Sequence, residues 1–79
     1  MQIETLANNQ TVVYTNEGKF FFSYDTLIAA RDMDNLYLTS CWDSSATTLK
    51  YLKMAFNLNM TKSQIQKALD NGEFKHYEQ

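Results

Sequence analysis

The stretch Leu36-Tyr37-Leu38-Thr39-Ser40-Cys41-Trp42-Asp43-Ser44-Ser45-Ala46-Thr47-Thr48-Leu49 changes period at Trp42–Asp43. Before that point Leu36, Leu38 and Ser40 alternate with Tyr37, Thr39 and Cys41, the two-residue repeat of a strand. After it Asp43, Ser44 and Ser45 all suit an N-cap, and Leu49, Leu52 and Phe56 follow at helical spacing. The break divides the chain into a β-meander over 1–42, a helical pair over 43–72 and a polar tail over 73–79. A meander followed by two helices predicts one α+β domain over 1–79. Its antiparallel sheet has four or five strands, and both helices pack on one face.

Working back from the break, the strands are marked by β-branched and aromatic runs between turn residues. Ile3–Leu6 reads as a short first strand, and Asn8-Asn9 as a turn. Thr11–Thr15 is a strong strand by composition. Asn16-Glu17-Gly18 then offers a turn ending in a glycine that tolerates positive φ, before a third strand over Lys19–Tyr24. Asp25 breaks it. Thr26–Arg31 is a fourth strand, although Leu27-Ile28-Ala29-Ala30-Arg31 also fits a helical turn. Met33-Asp34-Asn35 turns the chain into the last strand, Leu36–Cys41.

Phe20, Phe21 and Phe22 fall on both faces of their strand, so helices on one face leave phenylalanine on the other. Two readings follow. Either the strand is covered on both sides or carries ordinary surface, or an aromatic patch awaits a partner or a dimer mate.

Working forward, the first helix runs to about Phe56. Its apolar residues span an arc of roughly 220° at 100° per residue, which predicts a helix lying between the sheet and the second helix. Lys50, Lys53 and Asn57 share the remaining strip. Thr61-Lys62-Ser63-Gln64 fits a capping box, with Met60 and Ile65 placed for a hydrophobic staple. Ile65, Ala68 and Leu69 form the apolar stripe of the second helix, and Asn71-Gly72 ends it. Phe74 and Tyr77 can dock the tail or pair it with the sheet edge.

The 79 residues hold one cysteine and no proline, so no disulfide supports the fold. A chain this short buries only about 60–65% of its unfolded surface. A lone cysteine suits a reducing cytosol, the N-terminus has no signal-peptide pattern, and no apolar run reaches membrane-spanning length. These features predict a cytoplasmic protein without a membrane partner. Residues 1–45 hold two cations against six anions, a balance of −4, and residues 46–79 hold five cations against three anions, a balance of +2. Neither half is charged strongly enough to dictate a nucleic-acid or membrane partner.

Chemistry has few carriers. One histidine, His76, and Cys41 cannot supply the four ligands of a structural zinc. Asp32, Asp34 and Asp43 lack calcium-loop spacing. Cys41 reads as a small buried residue beside Trp42, and Ser44 and Ser45 as caps. With Gly18 and Gly72 alone there is no glycine-rich phosphate loop. The residues point to no catalytic site, no metal and no cofactor. The helix–loop–helix can be read as a DNA-binding element, with Lys50, Lys53, Lys62 and Lys67 as its contacts. The loop over 57–60 lacks the glycine often found in that turn, and the sequence pI is near 5.1.

The segment Asp43–Leu52, with Thr61-Lys62-Ser63-Gln64-Ile65 and Asp70-Asn71-Gly72, resembles a group of very small bacteriophage proteins of unassigned function. The resemblance covers about half the chain. It implies a phage-type accessory protein, placed in the host cytoplasm, that binds and inhibits or modulates a host protein such as a defence nuclease or a nucleic-acid enzyme. Because aromatic side chains anchor interfaces, Tyr14, Phe20, Phe22, Tyr24 and Tyr37 are the partner-binding candidates. Self-association across a strand edge is the homodimeric alternative, and DNA regulation through the four lysines is the alternative function.

Overall fold

Residues 2–77 are described by the computed structural model, and Met1, Glu78 and Gln79 lie outside it. The first five strands pair in chain order: β1 (Gln2–Ala7), β2 (Gln10–Thr15), β3 (Gly18–Ser23), β4 (Thr26–Arg31) and β5 (Leu36–Leu38). Three of the four hairpins close with two residues. Tyr24 (φ 51°) and Asp25 (φ 66°) both adopt positive φ, as a primed turn requires. Gly18 is fixed by space as well as by its φ of 152°, since a β-carbon there would lie 2.0 Å from the Arg31 carbonyl oxygen.

Helices α1 (Ala46–Phe56) and α2 (Lys62–Asp70) follow, and then β6 (Lys75–His76). The molecule is an α+β fold with both helices on one face of a six-stranded, mostly antiparallel sheet. The sequence-based count of four or five strands falls short because the tail supplies a sixth. β6 pairs with β5 in parallel, Tyr37 opposite Lys75 and Leu38 opposite His76. The tail thus pairs with the sheet edge, with Glu78 and Gln79 outside the described residues.

Two further boundaries differ from expectation. The last antiparallel strand ends at Leu38, not Cys41. Thr39 keeps one backbone bond to β4, its amide donating to the Ile28 carbonyl at 2.9 Å, while its hydroxyl lies 2.9 Å from the Leu27 carbonyl; tight turns closed at Trp42 and Ser44 then end the strand. Cys41 therefore sits half-buried in a turn. β3 ends at Ser23, which leaves Tyr24 in the turn. The ambiguity of Leu27–Arg31 resolves as a bulged strand. Phe21 pairs with Ala29 and Phe22 with Leu27, so Ile28 is the extra residue, and Ile28, Ala29 and Ala30 are all buried in succession.

The core lies between the helices and the face of the sheet that carries Val12 and Phe21, both 0% exposed. Leu52 and Phe56 of α1 and Ile65 and Leu69 of α2 join it. α1 starts where expected: Ser45 accepts from the Thr48 amide at 3.1 Å, and the Thr48 hydroxyl lies 3.3 Å from that of Ser23, which ties the cap to β3. Asn57 ends α1 in the left-handed conformation. α1 is not enclosed on all sides, since Met54 is 52% exposed and Tyr51 half-buried. The apolar arc overstated its burial. α2 opens with the capping box, Thr61 Oγ1 accepting from the Gln64 amide at 3.2 Å and Gln64 Oε1 from the Thr61 amide at 2.8 Å.

Phe21→Ala is expected to cost about 3–5 kcal/mol by urea denaturation, and Thr61→Ala about 1 kcal/mol. A loss at Phe21 no larger than that at Thr61 would contradict this core.

Candidate functional site

Cross-strand partners project to the same side of a sheet. The pairs Ile3–Val13, Val13–Phe20, Phe20–Ala30 and Ala30–Tyr37 therefore form one row across five strands. Thr5, Thr11, Phe22 and Leu27 form a second row beside it. Both rows lie on the side away from Phe21 and the two helices. Ile3 is 59% exposed, while Val13, Phe20, Phe22, Leu27 and Tyr37 are half-buried. At one end of this open face, Thr5, Asn9, Thr11, Val13, Phe22 and Asp25 line a hollow of about 420 Å³.

The charged side chains of the same strands take the other side. Glu4 pairs with Val12, Lys19 with Tyr14, and Arg31 with Lys19 and Leu36, all on the helix face. The Lys19 ammonium donates to the carbonyl of Ala55 in the last turn of α1 and lies 5.4 Å from the Tyr14 ring centroid and 5.2 Å from that of Phe56. Burial, then the Arg31 charge, lower its pKa, and Glu4 partly opposes them. Desolvation, then the Glu4 carboxylate, raise that of Tyr14, whose hydroxyl donates to Glu4 at 3.2 Å.

The five aromatic candidates thus separate. Phe20, Phe22 and Tyr37 share the open face. Tyr14 belongs to the helix face and is half-buried, and Tyr24 stands in the β3–β4 turn at 65% exposure. Tyr14 and Tyr37 are both half-buried, Tyr14 packed against the core beneath the helices and Tyr37 against Tyr77. The Tyr37 hydroxyl donates to Asp32 Oδ2 at 3.0 Å, and its ring meets that of Tyr77 edge-on at 6.5 Å. Ile3, Val13, Leu27 and Ala30, which sequence reasoning did not single out, complete the face. Their alternation was visible, but the side that receives the helices was not.

The four lysines do not form one bare patch. Lys50 lies 5.4 Å from the Tyr51 ring centroid, Lys53 is half-buried, and Lys62 lies 3.9 Å from Asp43. Lys67 is exposed on α2, beside Gln66 and its acceptor Asp70. Among the described residues no group of three or more His, Cys, Asp or Glu could hold a metal ion, and no helix is long and apolar enough to cross a membrane.

Residues 1–71 match DUF8033, a family of unknown function, and the chain belongs to that family. No curated protein and no solved structure matches the chain.

Asp32 fixes the turn beneath Tyr37. Its Oδ1 accepts from the amides of Asn35 at 2.7 Å and Asp34 at 2.8 Å, and these bonds, with that from Tyr37, hold its pKa below the ordinary 3.8. The unfolded chain binds this proton more readily, so the contribution is complete above the unfolded value and is lost as pH falls through the folded one. Asp32→Asn is expected to lower the melting temperature at neutral pH and to flatten its acid dependence below about pH 4. Identical acid slopes for the two proteins in calorimetry would contradict this account.

Proposed function

We propose that this chain is a non-enzymatic binding protein and that a protein partner docks on the open face of its sheet. The observation that carries this reading is the distribution of polarity over the strands. A sheet covered on one side ordinarily turns its polar residues to water. Here Glu4, Lys19 and Arg31 point to the helix side, and an uncharged row from Ile3 to Tyr37 points away from it. Scattered apolar residues on a surface are unremarkable, but a contiguous patch across five strands marks an interaction site. Phe20, Phe22 and Tyr37 are the anchors, held on strands and so ordered before a partner arrives.

The cellular role follows from the resemblance to small bacteriophage proteins: an accessory protein that binds a host protein and inhibits or modulates it, without a cofactor. DNA regulation through Lys50, Lys53, Lys62 and Lys67 is less well supported, because Asp43 and Asp70 stand among those lysines.

The test is capture from a nuclease-treated bacterial lysate. A protein retained by the native chain is expected to be lost, by about tenfold or more, with Phe22→Ser. It should remain with the Lys62→Glu/Lys67→Glu pair. Loss with the lysine pair alone, together with nucleic acid in the retained fraction and release at high salt, would overturn the reading in favour of DNA binding.

A further inference from the structure

Resting on the reading of the open face as a protein-binding surface, we infer that its occupant is a second copy of this chain. Two sheets packed face to face would give a four-layer dimer, helices outside and sheets within.

Charge is the first argument. In a two-fold pair a patch meets its own image, so any net charge on it repels itself. The chain has seven basic and nine acidic residues, yet the rows from Ile3 to Tyr37 and from Thr5 to Leu27 contain none. The charges on their side stand at its margins and are opposite in sign, Lys75 on the outermost strand β6 by register and Asp25 in the hollow beside Phe22. A foreign partner can match a patch of one sign, whereas a self-paired face is favoured when it carries no net charge.

Area is the second. Four strands of six residues and one of three, about 4.8 Å apart at 3.3 Å per residue, give a face of about 430 Å² in plan. Two copies together cover about 860 Å² in plan, and the corrugation of Phe20, Phe22, Leu27 and Tyr37 adds to it, bringing the buried surface to the order of the 1,000 Å² lower bound for a specific interface. A second copy covers the whole face with one of the same outline and the same twist. Twisted sheets pack in this way about 10 Å apart, with strands about 30° off parallel. Phe20, Phe22, Leu27 and Tyr37 supply the side chains that fill such a gap.

The third is the size of the chain. A domain this small buries a limited share of its surface alone, and pairing gives each sheet a second packed layer.

Sedimentation equilibrium of the purified protein, from about micromolar to about millimolar, tests the inference. The expected mass is twice the 9.2 kDa of one chain, with a melting temperature that rises with concentration. Phe20→Glu and, as a milder variant, Phe22→Ser should each weaken dimerisation about 100-fold or more, with the far-ultraviolet spectrum of the monomer retained. A dimer that survives both folded variants overturns the inference and moves the contact elsewhere, to a strand edge for example. A monomer at every concentration also overturns it. If lysate capture still depends on Phe22, a foreign protein occupies the face and the broader reading stands; if it does not, both fall.

Discussion

The two helices, eleven and nine residues long, can roof one side of a six-stranded sheet and not two. Two helices side by side span about 20 Å, against a sheet roughly 24–29 Å wide. That mismatch orders the molecule. Phe21, at the centre of β3, goes under the roof with Val12 and Ala29 on either side, and the bulge at Ile28 brings one more aliphatic residue to the same core. Phe20 and Phe22 are then forced to the unroofed side by the pleat alone. The open face is a geometric by-product of a covered one, and its apolar character is what calls for explanation.

Lys19 shows how the helix face absorbs charge. Its ammonium stands over the rings of Tyr14 and Phe56 and reaches a carbonyl of the final turn of α1, where the helix dipole is negative. Glu4 approaches the same cluster through Tyr14. These groups occupy the margin that two helices cannot cover. One face of β1 to β5 therefore holds both the apolar core and the strand charges, and the other face of those strands holds neither.

Much of the architecture was legible because local chemistry settled it. The Thr61–Gln64 box and the turn at Asn8-Asn9 need only neighbouring residues and are where the sequence places them; the cap of α1 is Ser45, one of three candidates, and the turn read as Asn16-Glu17-Gly18 is two residues, with Gly18 opening β3. What was not legible depended on distant partners. β5 ends at Leu38 where turns closed by Trp42 and Ser44 take over while Thr39 stays bound to carbonyls of β4, and the tail becomes a strand because β5 has a free edge. The candidate face was half legible. The triple phenylalanine announced that one face would be aromatic, but Tyr14 and Tyr37 look equivalent in sequence, and only the register sends them to opposite sides.

β6 has a kinetic consequence. Parallel neighbours cannot be joined by a tight turn, so the segment from Thr39 to Phe74, with both helices, is one long crossover between β5 and β6. The hairpins of β1 to β4 close locally and early, whereas β6 has no partner until that crossover has folded. β6 is thus the described strand whose pairing depends most on both helices being in place. Its attachment reports, at the far edge of the sheet, whether the roof is down.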